Sequence, residues 1–393
     1  MMKKRLLAGT LVAVMTFGMM PAALAGNDDV TASENKPSFK INSYEDLQKA
    51  INGASGDNYT ISLDTNIHGI VKIPADKNVT IDLNGYNIES SDGYTLVNKG
   101  TLTIVGNGEV LTSAGESAAV ANFPDAVANL NGGTYVSDQW HAIKNLGKMT
   151  INGDVTAKKP ESSDDTFAVI ENGWLKSTDV VAGDYVQAAS GKEKLAYLTI
   201  NKGNFTGGSQ SSAIVKNDDY GFIDVYGGTF DNSKSTNANC SAAILNYSMG
   251  HIYYGEFISK YPIANASNMN AANNGIFNIH GGMFIGDESL IGGYTGRGIG
   301  VLRIDGGTFV VPALFNESST PAKHSLIIEG GTYSIDVSAD CDVGYDTYMN
   351  DNFQYVVLNP SDAEERAVAK VGDKYYLGAS AALIKASMQD ETA

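Results

Sequence analysis

The sequence has few of the residues that build metal centres and disulfide frameworks. Its 393 residues include two Cys and five His, and no two His lie close together in the chain. This spacing matches no metal-ligand motif, so we expect no metal centre built on histidine. Tyr, by contrast, is abundant, with 20 residues against 13 Phe and 2 Trp.

Long apolar runs are also missing, with one exception at the start of the chain. Residues 6–20 carry no charge, follow the basic residues 3–5 and precede a small-residue A-x-A site at 23–25. This pattern predicts a secretory signal peptide over residues 1–25. No later stretch is long and apolar enough to cross a bilayer. We therefore expect a secreted or extracellular cell-surface protein with no membrane span after cleavage of the signal peptide.

The charge balance is strongly acidic. The formal net charge is −17, and removal of the predicted signal peptide takes away three positive charges and leaves −20. A field of this sign repels nucleic acid, anionic lipid and polyanionic glycans, although physiological salt weakens the repulsion. We therefore expect no nucleic-acid partner.

A short phrase of an apolar residue, two further positions, a Gly and an aromatic residue recurs along the chain. It ends at Tyr135, Phe205, Phe230, Phe257, Phe284, Phe309 and Tyr333. From Phe205 onward the steps are 24 to 27 residues. A degenerate copy reads Ile151 to Val155, and we count the gap from Val155 to Phe205 as two periods, with the weak stretch FAVIENGWLKSTDVV between them. A second phrase ends in Asn at residues 98, 145, 172, 217, 246 and 316.

The runs between these phrases alternate apolar and polar residues, which is typical of strands, and nothing between them suits a helix. Repeated strands and turns with a period near 25 predict a solenoid of parallel strands. We expect an all-β parallel β-helix of about ten coils over residues 26–337. The Gly pair would let the backbone bend, the aromatic residue would stack or point inward, and the Asn residues would form a ladder at one corner.

Both ends of such a solenoid must be covered to protect the open strand edges. Ser43 followed by an acid three residues later predicts a short helix around 43–52 that caps the first coil. Residues 338–393 lose the repeat and are predicted to form a closing coil and cap. Because about four periods separate Cys240 from Cys341, their distance along the axis would be far too long for a disulfide, and we expect two free thiols.

The segments KNVTIDLNGYNI and GGTYSIDVSADCDVGYDTYMNDNFQYVV carry a resemblance to a known group. The chain resembles right-handed parallel β-helix, or pectin-lyase-like, proteins, and more narrowly the exported β-helix proteins of Gram-positive gut bacteria. The resemblance implies a right-handed solenoid and an adhesin-like function. Fold alone does not fix function, because one fold hosts many activities.

We expect a non-catalytic rod that contacts polysaccharide or cell-surface glycan, and the alternative is a polysaccharide lyase or glycoside hydrolase. Under that alternative the candidate catalytic residues are Asp218, Asp219, His251 and Arg303. Their order resembles the β-helix glycosidase pattern, but no Asn-Thr-Asp precedes the Asp pair. Ile252 also replaces the second Gly of the Gly-His-Gly element of that pattern, and Asp305 replaces the Lys of its Arg-Ile-Lys element. The sequence therefore leaves enzyme activity open and favours a non-catalytic protein.

Tyr253 and Tyr254 are the candidate ligand-binding residues, because exposed Tyr can stack on sugar rings and form hydrogen bonds through its hydroxyl. Tyr also suits a half-buried sheet, which is the structural alternative. Asp and Asn in the loops, as in DNSKSTNAN after Phe230, could supply oxygen ligands to Ca²⁺. No calcium motif is present, so turn chemistry is the favoured interpretation and no cofactor is predicted.

Overall fold

In a computed structural model, the described residues are 40–56, 59–173, 195–265, 275–292, 300–316 and 325–390. The chain divides into two compact units, Met1–Pro37 and Ser38–Ala393. The predicted signal peptide lies in the first unit, outside the described residues. All statements below concern the second unit.

The second unit is a parallel β-solenoid with three sheets, whose strands we number in chain order. The first sheet contains β1 (Tyr59–Ser62), β4 (Asn78–Asp82), β7 (Thr101–Val105), β10 (Val127–Leu130), β13 (Lys148–Ile151), β16 (Ala196–Ile200), β19 (Gly221–Val225), β22 (Met249–Ile252), β25 (Ile276–Ile279), β27 (Val301–Ile304) and β29 (Leu326–Ile328). The second contains β2 (Ile67–His68), β5 (Ile88–Ser90), β8 (Glu109–Thr112), β11 (Thr134–Ser137), β14 (Thr156–Lys158), β17 (Asn204–Thr206), β20 (Thr229–Asp231), β23 (Glu256–Ser259), β26 (Met283–Gly286), β28 (Thr308–Val310) and β30 (Thr332–Tyr333). The third contains β3 (Val71–Ile73), β6 (Leu96–Asn98), β9 (Ala118–Asn122), β12 (His141–Asn145), β15 (Ile170–Asn172), β18 (Ala213–Asn217), β21 (Ala242–Asn246) and β24 (Tyr261–Asn265).

Successive coils stack in register and form about nine turns, slightly fewer than the ten predicted. Ile223 of β19, for example, lies opposite Leu198 of β16. Inward side chains of the strands build one continuous apolar core along the axis. The alternation seen in the sequence is therefore the inside–outside alternation of each strand.

The aromatic residues of the repeated phrase are buried and stacked in the second sheet. Ring centroids of successive residues from Phe205 to Tyr333 lie 4.6 to 4.9 Å apart, close to the strand spacing. The second Gly of the phrase has a positive φ, for example +105° at Gly307, where a Cβ would lie 3.0 Å from the Phe309 ring. The predicted roles of the Gly pair and of the aromatic residue are confirmed.

The Asn residues form the predicted ladder at the corner between the third and first sheets. Each side-chain amide donates to the oxygen of the next Asn at 2.7 to 2.8 Å, in the order Asn98, Asn122, Asn145, Asn172, Asn217, Asn246 and Asn265. The same amides also donate to backbone carbonyls of the corner, as Asn172 does to Phe222. The ladder thus satisfies buried polar groups that the corner would otherwise leave unpaired.

The prediction that two periods separate Val155 from Phe205 is wrong. Ala157, not Val155, occupies the aromatic position, and it lies directly opposite Phe205 in the neighbouring coil. The first and third sheets show the same direct stacking, with Lys148 opposite Tyr197. A solenoid accepts extra residues in a loop without changing the strand register, so sequence length overcounts the coils. Residues 174–194 of this segment lie outside the described residues.

The predicted helix is present at the N-terminal end of the solenoid. Helix α1 (Tyr44–Gly53) begins at the N-cap Ser43, whose hydroxyl accepts from the Asp46 amide, and buries its apolar side against the first coil. At the other end, β31 (Asp346–Met349) and β32 (Tyr355–Leu358) pair antiparallel on β30. The segment after β32 contains the remaining elements, which are α2 (Pro360–Arg366), the β33 (Ala369–Val371) and β34 (Lys374–Tyr376) hairpin, and α3 (Ala379–Asp390). A short 3₁₀ turn, Ser338–Asp340, precedes them.

Candidate functional site

The outward surface of the first sheet changes character half-way along the solenoid. In the N-terminal coils its outward positions are mostly small and polar, and include Thr80, Thr101, Thr103, Asn129, Thr150 and Asn152. From β16 onward one outward row carries large apolar and aromatic side chains and another carries Tyr226, Tyr253 and His280, while the row between them stays mostly polar. Both halves use the same strand geometry, so the backbone does not require this change.

Three rows of side chains define the surface that we call the aromatic face. The outer row is Tyr197, Phe222, Met249, Ile276 and Val301; the middle row is Thr199, Asp224, His251, Asn278 and Arg303; the ring row is Tyr226, Tyr253 and His280. Four members of the outer row are 36 to 44 % exposed. A contiguous exposed apolar row of this kind marks an interaction site more often than an ordinary surface does.

The rings of the ring row stack on one another along the axis. Tyr226 and Tyr253 have centroids 4.7 Å apart with planes 2° apart, and Tyr253 and His280 have centroids 4.9 Å apart. Both faces of the Tyr253 ring are therefore covered by neighbouring rings. Burial and the nearby Asp224 carboxyl raise the pKa of Tyr253, so its hydroxyl keeps its proton at neutral pH. The ring row presents ring edges and hydroxyl groups to solvent.

A chain of polar contacts crosses the face beside these rings. The Asp305 carboxylate lies 2.9 Å from His280 Nδ1, and His280 Nε2 lies 3.1 Å from His251 Nδ1. In this second contact one nitrogen donates its hydrogen and the other accepts it, because two donors cannot face each other. Burial raises the pKa of Asp224, and the His251 ring partly opposes this shift. The contacts fix the orientation of both imidazoles on the face.

Arg303 lies in the middle row, where its guanidinium is held by a carboxylate of the next coil. Its Nε and terminal nitrogen lie 2.7 and 2.6 Å from the same Glu329 oxygen. This hydrogen bond and the charge of Glu329 raise the pKa of Arg303. A lyase would need Arg303 as a proton-abstracting base, and a base needs the opposite shift, so this environment disfavours that role under the enzyme alternative.

The structure brings His251, Tyr253 and Arg303 together on one face but places the Asp pair elsewhere. Asp218 is buried at the corner after β18, paired with the Lys216 ammonium, and Asp219 lies in the following turn. Burial raises the pKa of Asp218, and the Lys216 charge opposes that shift only in part. The four candidate catalytic residues therefore do not form one cleft.

Asp218 belongs to a buried charged cluster that sequence patterns did not indicate. Glu171 lies at its centre, with its carboxylate 2.5 Å from Lys144 Nζ, 3.3 Å from Lys216 Nζ and 3.0 Å from His141 Nε2. Burial would raise the pKa of Glu171, but the Lys144 and His141 charges outweigh it and hold the pKa well below its usual range.

The described residues contain neither a metal-binding cluster nor a membrane-spanning helix. No group of three or more His, Cys, Asp or Glu side chains in these ranges is arranged to hold a metal ion. In the same ranges no helix has the length and apolar character needed to cross a membrane.

Tyr197, Phe222, Tyr226 and His280 were missed as members of the site, although the sequence contained a signal for them. For Tyr226 and His280 that signal is the alignment of the repeated phrases in columns, which places both with Tyr253 four residues before the aromatic residue of the phrase. Only the strand register shows that the outer row runs beside them. The chain matches no protein-family model, no curated protein and no solved structure with which it was compared.

Proposed function

We propose that the protein is an exported, non-catalytic, adhesin-like rod whose aromatic face contacts glycan. The single observation that carries the proposal is the contrast between the two halves of the first sheet. Outward positions of the N-terminal coils carry Thr, Asn, Val, Lys and Asp but no stacked rings, so the exposed rings of the later coils serve something other than folding. Export and a cell-surface location are supported by the signal-peptide pattern over residues 1–25.

The chemistry of the face suits a sugar chain. Sugars have apolar C–H surfaces bordered by hydroxyl groups, and this face sets an apolar row beside Tyr hydroxyls, imidazoles and carboxylates. Tyr supplies both properties in one side chain. The charge of −20 after signal removal favours neutral over polyanionic glycans.

The scattered positions of the candidate catalytic groups support a non-catalytic role. Asp218 is buried in an ion cluster, and Arg303 is held as a cation by Glu329. A lyase or hydrolase needs an acid and a base that reach one substrate bond together. The enzyme alternative is kept as an outcome of the experiment.

The test uses the mature chain, residues 26–393, on immobilised neutral and uronate-containing polysaccharides with and without Ca²⁺. Bound protein, new reducing ends and unsaturated product are all measured. The test variant is Tyr226→Ala with Tyr253→Ala, and the matched control is Thr103→Ala with Thr150→Ala, on the outward surface of the earlier coils. Thermal unfolding of each variant checks the fold.

We expect retention on a neutral polysaccharide without product release, and at least a tenfold loss of affinity in the Tyr variant alone. Two rings at about 0.5–1.5 kcal/mol each give this magnitude. Release of product would overturn the non-catalytic proposal in favour of a lyase or hydrolase. Equal loss in both variants, or no retention on any polymer, would remove the aromatic face as the glycan site.

A further inference from the structure

Tyr254 occupies a position that is Gly in the neighbouring coils on both sides. The repeated phrase has Gly227, Gly281, Gly306 and Gly330 at this place, directly after the ring-row position. A Cβ on Gly281 would lie 2.2 Å from the Tyr253 carbonyl oxygen, and one on Gly306 would lie 2.1 Å from that of His280. Close packing of successive turns therefore requires Gly in these coils, and Lys202 and Tyr254 are the residues that replace it in the described coils from β16 onward.

Packing within the protein does not explain this exception. Tyr254 is 68 % exposed, the largest exposed fraction of any aromatic side chain among the described residues. Its side chain makes no hydrogen bond or ring contact with another described residue, whereas Tyr253 beside it is stacked on both faces. An isolated exposed Tyr contributes little to the stability of the solenoid at a position that neighbouring coils fill with Gly.

The surroundings of Tyr254 leave its ring faces open. Along the axis its neighbours are Gly227 and Gly281, which have no side chains to cover the ring, and the nearest ring atom is 3.9 Å from where a Gly281 Cβ would be. The adjacent coils lie about 4.8 Å away, which is close to the separation at which two rings stack. A planar or chair-shaped ring laid over Gly281 would therefore lie within contact distance of the Tyr254 ring.

We propose that Tyr254 is the stacking platform for one neutral hexopyranose unit of the bound glycan, with the ring row supplying hydrogen bonds to its hydroxyls. This inference rests on the proposed glycan-binding function and names the residue that would hold a sugar ring. The ring row cannot itself take that role along its length, because its rings cover one another. An uncharged sugar fits better than a uronate, because the Asp224 and Asp305 carboxylates lie on the same face.

The experiment measures binding of the mature chain to hexamers of β-1,4-linked glucose and N-acetylglucosamine and to a galactose hexamer. Titration calorimetry gives affinity, and saturation-transfer NMR identifies which sugar protons contact the protein. The variants are Tyr254→Ala, Tyr254→Phe and Tyr253→Ala. The control is Tyr375→Ala, which removes a Tyr of the C-terminal hairpin.

We expect Tyr254→Ala to lose about tenfold in affinity, since one stacked ring contributes up to about 1.5 kcal/mol. Tyr254→Phe should stay within about threefold of the natural chain because it keeps the ring face, and Tyr375→Ala should bind unchanged. Saturation should concentrate on the C–H protons of one sugar face and disappear with Tyr254→Ala.

Two other results would contradict the inference and separate it from the proposed function. Binding that Tyr253→Ala weakens but Tyr254→Ala leaves intact would overturn the stacking role and keep the glycan-binding face. No binding of any hexamer by the natural chain would overturn both proposals.

Discussion

Asn172 and Asn217 are 45 positions apart in the sequence, yet the Asn172 side-chain amide donates to the Asn217 side-chain oxygen at 2.7 Å. The other links of the ladder join residues 19 to 29 positions apart. The ladder therefore continues across the longest insertion in the described solenoid without a break. Strand register, rather than spacing along the chain, decides which Asn residues meet.

Removing Asn172 should destabilise the fold, because the residue is fully buried and its partners cannot reach water. It accepts from Asn145 and donates to Asn217 and to the Phe222 carbonyl. We expect Asn172→Ala to lower the free energy of unfolding by about 2–3 kcal/mol, the cost of leaving buried polar groups unpaired. Urea unfolding measures this.

The matched control for the ladder is Asn201→Ala. Asn201 donates to Asn152 in a similar amide pair at 2.6 Å, but both residues lie on the solvent side of the first sheet. Because water replaces the lost partner there, the loss should stay below about 0.5 kcal/mol. Equal losses in the two variants would show that burial does not determine how much the Asn ladder contributes to the free energy of unfolding.

Phe257 should be one of the most sensitive positions in the core. It is fully buried between Phe230 and Phe284, with ring centroids 4.8 and 4.7 Å away. Phe257→Ala should cost about 3–5 kcal/mol through lost burial and the cavity left in the stack, and Phe257→Leu should cost less. The comparison variant is Tyr254→Ala in the same coil, which should unfold at nearly the same urea concentration as the natural chain. A small effect of Phe257→Ala would mean that the neighbouring rings repack and fill the cavity.

Glu171 should make stability depend on pH in the acid range. Its pKa in the folded protein is held well below the usual value of 4.5, mainly by Lys144 and His141 against the effect of burial. A lowered folded pKa stabilises the protein above the unfolded value, and this stabilisation is lost as pH falls through the folded value. We expect Glu171→Gln to lose about 3–5 kcal/mol at pH 7, because the buried Lys144 charge loses this carboxylate, whereas Lys216 keeps Asp218.

The difference between Glu171→Gln and the natural chain should shrink as urea unfolding is repeated at successively lower pH below 4.5. The control is Glu89→Gln, which removes a carboxylate paired with the exposed His68. That change should cost less than about 1 kcal/mol. A Glu171→Gln penalty that stays constant down to the lowest pH would rule out ionisation of Glu171 as its cause.

Both cysteines should resist thiol reagents in the folded protein. Cys240 and Cys341 are free thiols, and burial raises the pKa of each to about 12, with acidic neighbours adding to the shift at Cys341. At pH 8 the reactive thiolate is therefore scarce. We expect almost no alkylation by iodoacetamide over minutes in native buffer and two modified residues per chain in guanidinium, counted by intact mass. The variant Cys341→Ser assigns any slow native reaction, and rapid native labelling of Cys240 would contradict its burial.

The fold could be predicted because its signals repeat. Each copy of the phrase places a Gly pair where the backbone turns and an aromatic residue where the core needs filling, and each Asn marks the same corner. Agreement among many copies compensates for the weakness of any single strand signal. The Ser43 cap was predictable from a local pattern, because an N-cap depends on contacts within one turn of helix.

The buried charged cluster and the aromatic face were less predictable, because each joins residues from different coils. Glu171 meets Lys216 only after the extra residues between them are discounted, and the miscounted coil concealed that contact. His251 and Arg303 were chosen for a motif, yet each is defined by neighbours that the motif does not include, namely His280 and Glu329.

The sequence by itself determined the class of fold, the turn chemistry, the Asn ladder and the stack of buried aromatic rings. These follow from local alternation and from repeats that any stacked coil must satisfy. The tertiary structure alone decided how many coils are present, which side chains share the outward face and where the charges are buried. The physical reason is that strand pairing acts across the axis of the solenoid. Residues 25 to 50 positions apart become neighbours about 5 Å apart, and only the register says which ones.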